Sequence, residues 1–151
     1  MRVFYFALIA SFAVLGAAPA FASDADVLKQ FGILGTLAVN CGEPVSQENP
    51  YLVFAVDAAG QATRTLRTGG TAIDATLKMR NLRLVRDDLL EYDETGRSSE
   101  LKTSIAKLYG KYRGWNTVRT SGPESGTVLV ENGISKATGK PTVAFTFCEA
   151  D

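Results

Sequence analysis

Short runs of alternating apolar and polar residues, punctuated by glycine, proline and asparagine, recur along most of this chain. Tyr51-Leu52-Val53-Phe54-Ala55-Val56, apolar throughout and rich in aromatic and β-branched residues, is the strongest strand in the sequence; Ala58-Ala59-Gly60 turns it, and Gln61–Arg67 returns, which predicts a β-hairpin. Over residues 72–86 the alternation continues but slips in phase. Leu77 and Met79 are apolar at odd positions, Leu82 and Leu84 at even ones. A regular strand cannot keep both pairs on one face, so a bulge is expected near Arg80-Asn81. Arg86-Asp87-Asp88 reads as a tight turn, Leu89–Tyr92 as the returning strand, and Asp93–Arg97 as the next turn.

Ser98–Gly110 carries two periods at once. Leu101, Ile105 and Leu108 suit a helix face, whereas Leu101, Thr103 and Ile105 alternate as in a strand. The segment abuts another β-like run, Tyr112–Thr120, so we read a strand hairpin with Gly110-Lys111 in its turn. Thr127–Glu131 is a further strand, with Asn132-Gly133 favouring a tight turn after it. Ser135–Thr142 reads as loop, and Val143–Cys148 as the last strand. At the other end, Asp24–Gly32 predicts a short helix: acidic residues open it, Val27, Leu28 and Phe31 share a face, and Gly32 can stop it. Gly35–Cys41 follows as a first strand ending in cysteine, and Gly42–Pro50 as a loop.

Eight to ten short strands at even spacing, with no repeat or linker between them, predict an all-β fold: a small antiparallel barrel or sandwich. The two cysteines of the chain, Cys41 and Cys148, end the first and last strands. A disulfide between them favours closure, because a closed up-and-down sheet sets those strands side by side. Closing a loop of roughly a hundred residues stabilises by about 4.7 kcal/mol in the chain-entropy model.

Residues 1–22 have the features of a signal peptide: Met1-Arg2, an uncharged apolar stretch from Val3 to Ala18, and Ala20-Phe21-Ala22 before a cut at Ser23. Residues 23–151 then form a single domain in the periplasm or outside the cell, an oxidising setting in which paired cysteines persist. No later stretch is long enough to span a bilayer. With 16 basic and 16 acidic residues, the chain lacks the charge of a nucleic-acid binder. It contains 0 histidines, which removes the commonest general base and the commonest zinc ligand; no metal or cofactor is expected.

The opening helix Val27–Phe31, followed by Gly35-Thr36-Leu37, resembles the start of lipocalin-like barrels, in which a short helix precedes Gly-x-Trp; here Leu37 stands at the tryptophan position. The pattern also looks like that of small secreted proteins of proteobacteria, through Phe31–Thr36 with Cys41 and Gly139–Thr142 with Cys148. The resemblance implies a lipocalin-like barrel and no particular activity. The Ser-Gly-x-x-Tyr pattern of periplasmic lysozyme inhibitors is not met, since Ser121-Gly122 is followed by Pro123-Glu124-Ser125.

Three clusters are candidates for chemistry. Tyr109, Tyr112, Arg113, Trp115 and Arg119 combine the single tryptophan with aromatics and arginine, the residues enriched at binding hot spots. In a small barrel such aromatics also serve as filling. Asp87, Asp88, Glu91, Asp93 and Glu94 would serve a carboxylate-dependent hydrolase if they converged in a cleft, and a solvated hairpin end if they splayed around turns. Arg64, Arg67, Lys78, Arg80, Arg83 and Arg86 make one sheet region basic, facing either an acidic partner or those carboxylates. The reading is a non-enzymatic cell-envelope protein that binds a small apolar ligand or a protein partner, with the hydrolase as alternative.

Overall fold

The computed structural model describes residues 22–70, 75–96 and 99–149. The expected signal segment lies, but for Ala22, outside them. One helix, α1 (Asp24–Phe31), precedes ten strands: β1 (Gly35–Ala38), β2 (Tyr51–Val56), β3 (Ala62–Arg67), β4 (Ala75–Arg86), β5 (Leu89–Thr95), β6 (Glu100–Leu108), β7 (Lys111–Arg119), β8 (Val128–Glu131), β9 (Ile134–Ser135) and β10 (Ala144–Cys148). Strands β1 to β7 pair in sequence order, all antiparallel, and β10 pairs with both β7 and β1. Those seven strands and β10 close into an eight-stranded barrel. Strands β8 and β9 form a hairpin attached to the C-terminal half of β7.

Local chemistry accounts for the elements. Ser23 caps α1: its hydroxyl accepts from the Asp26 amide, and the Asp26 carboxylate accepts from Ser23 in return, a capping box. That hydrogen bonding holds the Asp26 carboxyl below its ordinary pKa. Gly32 stops the helix at φ 83°, in the left-handed region where a side chain is strained. The buried face, Val27, Leu28 and Phe31, is the one the sequence predicted, and it packs on β2 and β4. Asp24 Oδ2 accepts from the Ala62 amide at 2.9 Å, and the Tyr112 hydroxyl donates to the Gly32 carbonyl at 2.7 Å. The helix therefore plugs one end of the barrel.

The phase slip in β4 is a bulge. Its register against β5 shifts between Arg80 and Arg83, and Asn81 sits at φ 53°. Met79 is thereby fully buried, and Leu82 and Leu84 still pack against the core despite their opposite parity, with Leu77 half-buried. Ser98–Gly110 resolves as strand over Glu100–Leu108, and the turn is Tyr109-Gly110, both at positive φ, one residue earlier than expected.

Three expectations are corrected. The first strand ends at Ala38, not Cys41. In the β1–β10 register Thr36 faces Cys148, so an extended strand would carry position 41 about 17 Å away at 3.4 Å per residue. Instead the chain doubles back and brings the cysteines to a Cα separation of 5.5 Å, bonded. Next, β5 does not turn at Asp93 but runs to Thr95. Last, part of the Ser135–Thr142 loop is structured: Ile134-Ser135 forms β9, and Ile134 bridges to Pro141.

Candidate functional site

Positions on β1, β2, β3, β5, β6, β7 and β10 line a cavity of about 440 Å³. Its wall is mainly apolar, with Leu37, Leu52, Phe54, Ile105 and Phe145. Gln47 and Pro50, from the β1–β2 connection, stand at the mouth. Asn49 holds that connection in shape. It is buried, accepts from the Asn40 amide at 2.9 Å, and donates to the carbonyls of Asn40, Glu43 and Pro44. Its side chain thus replaces the ladder partners a loop lacks.

One wall of this cavity is polar. Arg64 of β3 and Glu94 of β5 meet in a bidentate pair, Nε to Oε2 at 3.0 Å and Nη2 to Oε1 at 3.0 Å. Glu94 is 4% exposed, and the Arg64 side chain 18%. Tyr92, two residues before Glu94 on the same face, is 2% exposed and lies against the Arg64 guanidinium. Burial pushes the Tyr92 hydroxyl well above the ordinary tyrosine pKa, with Glu94 adding to the effect and Arg64 opposing it. Thr103, the register partner of Tyr92, lines the same wall, and its hydroxyl is buried with no hydrogen-bond partner among the described residues.

No family model, curated protein or solved structure matches this chain. The site therefore has to be read from its own geometry.

The aromatic–arginine cluster is dispersed rather than gathered into one patch. Tyr109 is fully exposed at the β6–β7 turn. Tyr112 points inward, edge-on to Phe31, and lines the cavity together with Arg113. Trp115 falls at the bulge in β7 that shifts the register between Ser104 and Ile105, and lies half-buried under the β8–β9 turn. A Cβ added to Gly133 there would stand 3.2 Å from the Trp115 ring and 3.3 Å from Arg113 Cδ. Arg119, at the far end of β7, pairs with Glu124.

The acidic cluster splays. Asp88 pairs with Arg86, which holds its carboxyl below the ordinary range; Glu91 pairs with Arg83 and Lys102; Asp93 accepts from Asn81. Glu94 alone of the five is buried in the barrel, since the exposed or half-buried others face outward or sit in the turn. Arg80 reaches Glu100 in the same outer ladder. The basic region of β4 is thus largely paired with acids. Among the described residues, no group of three potential ligands is placed to hold a metal ion, and no helix is long and apolar enough to cross a membrane.

Sequence reading named Arg64 and Glu94 only as members of charged clusters and left out Tyr92 as a site residue. The available signal was parity. Ala62, Arg64 and Leu66 share one face of β3, and Leu90, Tyr92 and Glu94 share one face of β5. A charge on each core-facing row calls for a partner inside.

Proposed function

We propose that this protein is a non-enzymatic binding protein that holds a small, mostly apolar ligand inside its barrel, and that it works after export, in the periplasm or outside the cell. The observation that carries the reading is the cavity: about 440 Å³, mainly apolar, with a few convergent polar groups. Small-molecule sites commonly occupy about 300–1,000 Å³ with that kind of lining. The splayed carboxylates give the hydrolase reading no pair flanking a common point, and Glu94 is tied to Arg64. Export is supported by the signal-like residues 1–22 and by the disulfide, which suits an oxidising compartment.

The test is occupancy of the barrel. Native mass spectrometry of protein purified from its own envelope should show a retained small molecule that organic solvent removes. Gly114 lines the cavity, and its nearest neighbour to an added Cβ is Thr142 Cγ2 at 3.9 Å, so a larger side chain has room to grow inward. Gly114→Leu should keep the thermal stability of the parent and lose the retained molecule, along with at least about tenfold in affinity for a neutral naphthylamine dye, a change of about 1.4 kcal/mol. A parent that carries nothing and takes up no neutral apolar dye would refute the reading.

A further inference from the structure

The cavity has two unlike sides. Leu37, Leu52, Phe54 and Phe145 come from β1, β2 and β10, three adjoining strands. Arg64, Tyr92, Glu94, Thr103 and Thr117 come from β3, β5, β6 and β7, the arc across the barrel from them. Polar groups taken from water into such a wall cost free energy unless they find partners. The arc supplies most of those partners itself. Glu94 accepts from Nε and Nη2 of Arg64 with both of its oxygens, and the Tyr92 oxygen also accepts from the guanidinium.

Two capacities are left over. A guanidinium has five N–H groups. Glu94 engages those of Nε and Nη2, and Tyr92 can take one more, so at least one is left without an acceptor among the described residues. The Arg64 side chain is 18% exposed against 5% for Glu94, and both line the cavity, so the wall shows the cavity a donor rather than the carboxylate. The second capacity is the Thr103 hydroxyl, across the ladder from Tyr92 and without a partner among the described residues. One staggered χ1 rotation exchanges the hydroxyl and methyl of a threonine, and Thr103 already lines the cavity. A cation is offered nothing comparable. Both Glu94 oxygens are engaged, and Arg113 borders the cavity with no ion pair among the described residues, so arginines outnumber carboxylates in the lining.

We infer that Arg64, assisted by Thr103, receives an oxygen acceptor of the ligand, and that the ligand is an apolar body ending in a hydroxyl, carbonyl or carboxylate oxygen and not in an amine. Glu94 is a positioning residue here: its two-point hold fixes the guanidinium and leaves the remaining donor for the ligand. The apolar body lies against the β10–β1–β2 side, where burial from water is the whole of its gain. This rests on the cavity being the binding site, as proposed above.

Two conservative variants separate the subsite from the cavity. Arg64→Lys keeps a counter-ion for Glu94 and gives up the spare guanidinium donor. Thr103→Val keeps the shape and gives up the hydroxyl. Purified, disulfide-bonded protein is loaded with a neutral naphthylamine dye, whose polar group is a donor, and titrated at neutral pH with decanol, decanoate and decylamine, each below its aggregation threshold. In the parent, decanol or decanoate should displace the dye at a concentration at least about tenfold below that of decylamine, and the leader of the two tells whether the acceptor is neutral or anionic. Affinity for that leader should fall at least about fivefold in Arg64→Lys and about threefold in Thr103→Val, while dye affinity stays within about twofold. Free Thr103→Val should melt no lower than the parent, because it removes a buried hydroxyl that has no partner; a threonine serving only the fold would give the opposite. Should Arg64→Lys not fold, Thr103→Val alone decides. Oxygen-headed chains that compete no better than decylamine, or equally well in parent and variants, overturn the subsite and leave the cavity reading standing. Failure of the dye and of all three competitors to enter overturns both.

Discussion

At the scale of single residues, the interior of this barrel is decided by which side chains sit at even positions of β5. Leu90 is hydrocarbon, Tyr92 brings a hydroxyl, and Glu94 brings a charge that Arg64 neutralises. Removing either member of that pair would leave the other buried without a counter-ion, which typically costs about 3–5 kcal/mol. Tyr92 offers a cleaner probe. In the unfolded chain it ionises near its ordinary value of 10.0, whereas burial raises it in the fold. The folded state therefore keeps a proton that the unfolded state releases. Its contribution is fully present below about pH 10 and is lost as pH rises through the folded value, with a slope of up to about 1.4 kcal/mol per pH unit. Tyr92→Phe removes the slope together with the hydroxyl contact, itself worth about 0.5–1.5 kcal/mol. In urea denaturation the parent should be the more stable at neutral pH, and the gap should narrow by about 1 kcal/mol between about pH 9 and pH 11. A gap that stays constant over that range would show that Tyr92 is not protected from ionisation.

At the scale of elements, the bulge in β4 lets one strand send both Met79 and Leu84 to the core, and it depends on a residue that tolerates φ 53°. Asn81 does so at little cost and also donates from Nδ2 to Asp93 at 2.7 Å. Asn81→Gly should change the urea midpoint little, while Asn81→Val should be less stable than the glycine variant by about 1–2 kcal/mol. Equal stability of the two would mean that the strand had found a regular register. This bulge was legible in sequence, because the parity of four apolar residues changed across it. So were α1, through its acidic first turn, its apolar face and its glycine stop, and the hairpin of β2 and β3, through the apolar run Tyr51–Val56 and the turn that follows it. The end of β5 was not, because Asp93-Glu94-Thr95-Gly96 has the composition of a turn, and its pairing with β6 outweighs that local preference. That one misreading hid the polar wall of the cavity, since it removed Glu94 from the row of Leu90 and Tyr92. The place of Trp115 was hidden for a related reason. A bulge in β7, which only the pairing with β6 reveals, decides which way it faces, and the β8–β9 turn that covers it contributes a glycine and no side-chain signal.

At the scale of the whole molecule, the barrel is a chain of hairpins with one seam that joins residues far apart in sequence. Strands β5, β6 and β7 are neighbours in sequence and paired along nearly their full length, from Leu89↔Ala106 to Thr95↔Glu100 and from Leu101↔Arg119 to Leu108↔Lys111. Strand β10 closes the ring with much less. It meets β7 only at Ala144↔Arg113 and Phe145↔Tyr112, and β1 only from Thr36↔Cys148 to Ala38↔Thr146. The Cys41–Cys148 bond, with a sequence separation of 107, ties the segment after β1 to the end of β10 across this weak region. In the chain-entropy model a loop of that length contributes about 4.7 kcal/mol by restricting the unfolded chain, and measured effects are commonly 2–4, about half or more of that. Because the bond also clamps the seam itself, its loss should be felt locally before the barrel unfolds as a whole. Amide hydrogen exchange on the Cys41→Ser/Cys148→Ser protein should show residues 36–38 and 144–148 exchanging at least about tenfold faster than in the parent, with β5 and β6 changed much less under conditions where global unfolding is rare. A neutral apolar dye bound in the cavity touches walls on both sides of the seam, among them Leu37, Tyr112 and Phe145, and should slow that exchange again. Equal acceleration in β6 and β10 would mean that the disulfide acts through the unfolded chain and leaves the seam as firm as the rest of the ring.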